Sequence, residues 1–547
     1  MTMHWPKRGI VLVAAAALMV GACGSSTAST APSAAASATA AASQAASTAP
    51  STAPSTAATE APSASAAAVM ADAITIFTPG GAAPDFDPAM GSVNQYNFLA
   101  PVYDPLIRRD SDGKFEPSLA TEWAYTTPAE FTMTIRDGVK FTDGTALDAT
   151  AVKANIQNVQ NGKGSYAAQF KSITAIDVVD ATHLKLTLSA PNPSLPVLFS
   201  TSAGMIASPA ALGKDALHTT PVGTGAYTYD ATNSVANDTL IYNIRADAWN
   251  VSHYHFKTVT LKIFSDENAA ANALISGDAA YTELGQAGTV TKVQGASNLK
   301  TSLAAYNVWG LGLLDRDGKV VPALKDVRVR QAINYAIDRE ALVKTAQQGL
   351  GAATDQLVKD WMEGYDKSLD GTYPYDPAKA KQLLSDAGFA SGFSADVVSL
   401  SFFDTWTQAV AGYLKAVGIT LNIKNVSPDQ YISSIVSGKY GVVVLPYGAL
   451  DTYFDFGQLW LPDSGFNPFK TDDKTVTDLY AKAGSATDAA SRSDLLKQLN
   501  TYVVQQAWWA PTSSDTFGYG YDPAKVTPAP WLGLRPLLLY DWLPAGQ

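Results

Sequence analysis

LKDVRVRQAINYAIDREALV, residues 324–343, is the stretch whose reading decides the fold. Val329, Ile333, Ala336 and Ile337 recur at helical spacing, which predicts a buried stripe, and Asp326 is the expected cap. Its arginines 328, 330 and 339 are expected to be solvated or ion-paired. YPYDPAKAKQLLSDAGF at 373–389 carries the same punctuation: Asp376 to cap, Pro377 at the first helical position and Gly388 at a left-handed end. A third helix, at 267–275, stops before Gly277-Asp278. Between such helices lie short β-type runs. Ala73-Ile74-Thr75-Ile76-Phe77 ends at a Pro-Gly-Gly break, and Phe131-Thr132-Met133-Thr134-Ile135 alternates as a half-buried strand before the Asp137-Gly138 turn to Val139-Lys140-Phe141. Strands and helices that alternate without an internal repeat predict α/β lobes.

The chain has 547 residues, 47% hydrophobic and only 16% charged, enough to bury cores in two or three lobes. Its formal charge is −11 and no basic tract runs among aromatics, so nucleic acid is not an expected partner. The single cysteine, Cys23, excludes an intramolecular disulfide and any thiolate cluster for zinc.

Cys23 ends a leader. Lys7 and Arg8 precede an apolar run that is too short to span a bilayer, and Val20-Gly21-Ala22-Cys23 resembles the bacterial lipobox, at which the leader is cleaved and the cysteine lipidated. Residues 24–70 are almost entirely Ala, Ser, Thr and Pro with Glu60 the sole charge, a composition that cannot bury enough apolar surface to order itself. This segment is expected to act as a disordered tether with a reach of about 35–40 Å. The expected location is therefore the outer face of a membrane, held by the lipid.

A search for catalytic groups returns little. No Gly-x-Ser-x-Gly elbow occurs, Ser111-Asp-Gly-Lys114 sits in a turn, and the phosphate-loop-like run at 312–320 has the wrong spacing and no Ser or Thr after its lysine. His253 and His255 alone make a poor metal site. Asp143 is read as a turn residue and Asp148 as the cap of a helix starting near Ala149. The 11 tryptophans and 24 tyrosines supply core, with some available to line a ligand site. Aromatic richness alone also motivates a competing reading, a tethered cell-surface hydrolase that uses carboxylates.

Six short motifs in fixed order carry a family resemblance. They are VYDPLIRRDSDGKFEPSLATEW from Val102, IRDGVKFTDGTALDATAVKAN from Ile135, PVGTGAYTY from Pro221, NALISGDAAY from Asn272, LKDVRVRQAINYAIDRE from Leu324 and YDPAKAKQLLSDAGF from Tyr375. Across about residues 94–531 the chain resembles family 5 of the extracytoplasmic solute-binding proteins, which serve dipeptide, oligopeptide and nickel ABC importers. The resemblance implies a periplasmic-binding-protein-like type II α/β fold, with two lobes closing over a cleft and an additional small inserted domain. On that pattern lobe I takes 71–112, 203–300 and 511–547, the inserted domain 113–202, and lobe II 301–510. It also implies a binding protein without catalysis, cofactor or metal. A small-molecule or short-peptide ligand and a membrane permease are the implied partners, and a monomer is expected.

The resemblance further implies where ligand is touched. Asn94 and Tyr96 match the contact loop of the first lobe. VVVLPYGALDTYFDFGQLW at 442–460 matches the loop of the second, with Tyr447 as the stacking surface, Asp451 as the nearest acid and Tyr453 beside it. Trp309 and Trp406 match other cleft-facing points. Peptide-binding relatives place an aspartate a few residues after the aromatic, where it pairs with the peptide's free amine. Here Gly448 stands at that place, so recognition of a free amine is in question.

Overall fold

The computed structural model describes residues 70–79, 84–91, 95–110, 113–164, 166–448, 450–530 and 538–547. The leader, the lipidation site Cys23, the tether up to residue 69 and Asn94 lie outside them. Among the described residues no helix is long and apolar enough to cross a membrane.

A twelve-stranded mixed sheet organises the chain. Its middle is a pair of long antiparallel strands, Lys300–Leu313 and Trp509–Tyr521. At one end of the pair, Trp509–Tyr521 continues through Tyr281–Leu284 to Ala71–Pro79, Phe256–Phe264, Thr239–Ile244 and Tyr227–Tyr229. At the other end, Lys300–Leu313 continues through Val442–Val444 to Phe393–Ser399 and Ile419–Asn425. The two long strands thus belong to both halves.

In the first half, Ile74 and Ile76 alternate inward and meet Val259 and Leu261 of the parallel neighbour in one core. In the second, Val442, Val443 and Val444 are all buried, as a strand covered on both faces must be. A separate four-stranded antiparallel sheet, in the order Ala120–Thr127, Glu130–Ile135, His183–Leu188, Ile173–Val178, packs with the helix Ala149–Asn161 around its own core. Phe131, Met133 and Ile135 supply the buried side of its second strand. Beyond the Asp137-Gly138 turn, however, Val139-Lys140-Phe141 makes only an isolated bridge, Lys140 to Ala146, and is no strand.

The helix starts read from sequence are present, with one division. Asp376 accepts the Lys379 amide at the start of Pro377–Asp386, and Gly388 follows at φ +85°. The stretch 324–343 forms two helices, Val327–Tyr335 and Arg339–Ala346, because Asp338 accepts the Ala341 amide and opens a second one. The buried side of this pair holds the long strand. Asn334 donates to the Trp509 carbonyl at 3.2 Å and Arg339 to that of Pro511 at 2.8 Å, while Arg330 takes the Gln506 carbonyl at 2.9 Å. Arg339 also pairs with buried Asp355 at 2.9 Å, and Arg328 pairs on the surface with Asp326.

The long pair is irregular where the halves meet. Between Ala305 and Val308 one strand advances three residues against two on its partner, and between Trp309 and Gly310 the extra residue lies on the other strand. Two opposed bulges within a few residues unlock the ladder and increase its twist there. Asp515 fills the first bulge, accepting from the Asn307 amide (2.7 Å), the Asn307 side chain (2.7 Å) and Trp309 Nε1 (2.9 Å). Lys359 is buried alongside, its Nζ 3.5 Å from the Ala305 carbonyl, and burial lowers its pKa to about 8.

Two outcomes follow from this junction. Asp515→Ala strands three donors, one of them a backbone N–H, and is expected to cost about 2–4 kcal/mol in urea unfolding, with Asp515→Asn costing less. Lys359 binds its proton less tightly when folded than when unfolded, so it lowers stability below about pH 8 and the loss is recovered as pH rises toward the ordinary lysine range. Lys359→Met is therefore expected to raise the melting temperature at pH 7. Its advantage over the wild type should shrink between about pH 8 and pH 10 in scans at stepped pH.

Candidate functional site

The site on the second half is built on the start of one helix, Thr452–Leu459. Asp451 caps it, with Oδ1 accepting the Phe454 amide at 2.9 Å. Asp455, in the first turn, folds back to accept the amides of Leu450 (3.1 Å) and Asp451 (3.3 Å), a favourable place for a negative charge. Tyr447 donates its hydroxyl to Asp455 at 3.3 Å. The backbone of Tyr447 and Gly448 is pinned in turn by pairing with Val308 and Asn307, beside the bulge. Burial, reinforced by Asp451, pushes the Asp455 carboxyl well above its ordinary range, and burial raises the Tyr447 phenol.

The opposing wall comes from the first half and the antiparallel module. Tyr96 opens the short helix Tyr96–Leu99, is 8% exposed, and lies in the field of Arg108, Asp104, Tyr166 and Arg109. Tyr166 also acts through space on the Tyr447 phenol. Three contacts cross to the start of the helix Thr452–Leu459. Ser194 Oγ donates to Asp451 at 2.6 Å, Tyr453 donates to the Pro191 carbonyl at 3.2 Å, and Arg109 Nη1 donates to the Leu450 carbonyl at 3.2 Å. The two walls are therefore in contact.

Tyr96, Tyr447 and Asp451 are brought together by this arrangement, and Trp309 is held near by. Trp309 is half-buried at the bulge, bonded to Asp515, with its ring 5.1 Å from that of Phe403. Two placements differ from the sequence expectation. Trp406 is 3% exposed, in the core behind Trp309, with Nε1 donating to Thr512 Oγ1 at 3.3 Å. Tyr453 is 5% exposed and its ring stacks on Tyr480 with centroids 4.0 Å apart. Trp406 turns toward the body of the second half because helical periodicity gives an amphipathic helix one inward face, whereas Tyr453 packs its ring on Tyr480 and extends only its hydroxyl to Pro191. Asn94 lies outside the described residues.

Sequence reasoning passed over Asp455, Tyr166, Ser194 and Arg109. Asp455 had a signal, since it follows Asp451 by four residues and so shares its helix face. The other three act through contacts with distant parts of the chain.

The groups needed for turnover are otherwise engaged. Asp143 accepts from Thr145 and Ser208, and Asp148 caps the helix Ala149–Asn161. His253 pairs with Asp541 at 2.7 Å and stacks on Tyr540. Among the described residues no group of three or more His, Cys, Asp or Glu could hold a metal ion. What the walls offer where they meet is aromatic surface, a buried carboxyl and cationic groups.

The model of the family "Bacterial extracellular solute-binding proteins, family 5 Middle" matches residues 114–467. The chain is 28% identical over 436 residues to the glutathione-binding protein GsiB of Escherichia coli (strain K12), covering 75% of this chain and 82% of that protein. Among solved structures it is similar to AgaA of A. tumefacien R10 in complex with agropinic acid (22% identity, TM-score 0.75, 87% of this chain and 99% of that one). It is also similar to DppA of Helicobacter pylori in complex with the peptide STSA (19% identity, TM-score 0.76, 87% and 98%). The fold is thus the two-lobed α/β fold of periplasmic binding proteins with an extra antiparallel subdomain, and the carboxylate-dependent hydrolase is set aside. The chain belongs to family 5 of the bacterial extracellular solute-binding proteins and serves an ABC importer as its substrate-binding protein, without catalysis of its own.

Proposed function

We propose that the chain is a lipoprotein, anchored through Cys23, whose lobes close over a short peptide-like solute with a free amine and present it to the permease. The division into lobe I (71–112, 203–300, 511–547), inserted domain (113–202) and lobe II (301–510) belongs to this reading, with the paired bulges as its hinge. The observation that carries it is the convergence of three contacts from one side on the start of the helix Thr452–Leu459, around Tyr447 and Asp455.

Gly448 occupies the place where peptide-binding relatives have an acid, and Asp455 offers a replacement. Its carboxyl already holds the Tyr447 hydroxyl, and a buried carboxylate gains most from a cation that reaches it in a dry site. An ammonium group at Asp455, with the solute's body against Tyr447, Tyr96 and Tyr166, uses the buried carboxyl and the aromatic groups that the two walls supply. The names of relatives support this ligand class. One binds glutathione and another was captured with a tetrapeptide, both peptide-like solutes with an amine.

Titration calorimetry with glutathione and a dipeptide panel tests the proposal. Micromolar or tighter binding is expected for at least one of them, and no heat from any would overturn the peptide-like assignment. Tyr447→Ala is expected to weaken binding about 10-fold or more while leaving the melting temperature within a few degrees, in line with the loss of an aromatic anchor. Because burial holds Asp455 above its ordinary range, it takes up a proton at a higher pH than an exposed carboxylate does. Affinity for an amine-bearing ligand should fall with falling pH in the wild type, and Asp455→Asn should be both weaker and flat with pH. Lipidation is checked in cells: labelled palmitate should enter the wild-type protein, and Cys23→Ala should appear in the soluble extracytoplasmic fraction.

A further inference from the structure

The chain from 352 to 359 runs along the paired bulges. Ala352 and Ala353 pair with Ser514 and Ser513 of the long strand, and Gly351 before them leaves no room for a Cβ beside the Ser514 carbonyl. The segment then enters the core of the second half, where Leu357 and Val358 pack with Val308, Val443 and Trp509. Lys359, the next residue, is 7% exposed, and its Nζ lies 3.5 Å from the Ala305 carbonyl. Ala305 stands on the far side of the first bulge, in the part of Lys300–Leu313 that pairs with 516–521 and, through that strand, with Tyr281–Leu284. A residue rooted in the second half thus sets its ammonium against the first.

A buried ammonium needs strong neighbours to offset its lost hydration. Three acids act on Lys359: Asp515 from the long strand, Asp455 from the helix Thr452–Leu459, and Asp360 beside it in the chain. Asp515 already accepts from the Asn307 amide, the Asn307 side chain and Trp309, and Asp455 from the Leu450 and Asp451 amides and the Tyr447 hydroxyl. Asp360 is exposed, and the ring of Trp361, 5.7 Å from Nζ, adds a weaker attraction. Burial outweighs all of these, and the lysine pKa falls to about 8. Rotation about the bulges would draw the Ala305 strand away from Lys359 and admit water to the ammonium.

We infer that the Lys359 ammonium is an opposing force built into the hinge: it biases the empty protein toward the open form, and loss of its proton lets the lobes close. The inference rests on the reading of the paired bulges as the hinge and adds a control to it. In the open form Lys359 keeps its proton up to the ordinary lysine range, whereas in the closed form it yields it from about pH 8. The ratio of closed to open protein is therefore low and flat below about pH 8 and climbs by about 10-fold per pH unit from there to about pH 10. Exposed lysines titrate alike in both forms and add no slope. At neutral pH the charge stays, so a bound solute has to overcome it.

The test measures the distance between the lobes by pulsed electron resonance, which a purely structural role for Lys359 would not move. Spin labels go on the exposed positions Thr232→Cys in lobe I and Lys415→Cys in lobe II, in the full chain with Cys23→Ala. Without ligand, the fraction at the shorter distance should rise steeply between about pH 8 and pH 10. Lys359→Met should show the shorter distance already at pH 7 with no pH response, and Lys359→Arg, which keeps its charge throughout, should stay open and flat. A wild-type distribution that does not change over this range, or the same change in Lys359→Met, overturns the inference. If the distance responds to glutathione or a dipeptide but not to pH, the inference falls and the hinge stands. If it responds to pH in the wild type alone but to no peptide, the inference stands and the peptide-like assignment falls. One fixed distance at every pH and with every peptide removes hinge and inference together. Should Lys359→Met not fold, Lys359→Gln replaces it, and the contrast between the wild type and Lys359→Arg decides by itself if neither folds.

Discussion

The carboxylate of Asp515 holds the irregularity on which the rest of the molecule depends. A regular ladder between Lys300–Leu313 and Trp509–Tyr521 would make the two halves one stiff plate, whereas two opposed bulges interrupt it where the halves meet. An interrupted ladder leaves backbone groups unpaired, and Asp515 takes up the Asn307 amide that the first bulge exposes. The same carboxylate fixes Trp309, and the strand segment it stabilises is the one that pairs with Tyr447 and Gly448. One side chain thus links the geometry of the junction to the position of the aromatic wall.

The second half is held to this junction by buried cations, not by apolar contact alone. Arg330, Asn334 and Arg339 each take carbonyls along or just before the long strand, so the helix pair from 327 to 346 grips it by hydrogen bonds whose geometry tolerates little sliding. Buried arginines that serve carbonyls in this way are costly to strip of their partners. Arg316 is held differently, buried against Trp460 and Trp508 with one donor on Asn467, while its Nε–H and Nη1 have no hydrogen-bond partner.

How much of this was legible depended on the range of the interaction. Asp326, Asp376 and Asp148 cap helices through amides two or three residues away, and Gly388 ends one by its own backbone freedom, so local sequence suffices. Asp338 was equally local, yet the apolar stripe running past it concealed the break between Tyr335 and Arg339. Ser194 and Asp451 are 257 residues apart, and nothing in either neighbourhood announces the other. Trp406 and Tyr453 show the converse limit. An aromatic residue on a helix beside a cleft reads the same whether it faces ligand or core, and only packing separates the two.

The cross-lobe contacts also bear on why a ligand is needed for closure. Three hydrogen bonds at about 1 kcal/mol each come to roughly 3 kcal/mol before the cost of immobilising the lobes and side chains that make them. Moving a two-state equilibrium from 1:99 to 99:1 takes about 5.5 kcal/mol of differential binding. On the proposed reading, direct contacts of this size are insufficient as a switch, and keeping the Asp455 carboxyl out of water works against closure when the cleft is empty. On the same reading, a solute that brings an ammonium to that carboxyl offsets the penalty. On this account the buried carboxyl is what would make closure conditional on the right ligand, since an apolar cleft with the same three bonds would close over any solute of suitable shape.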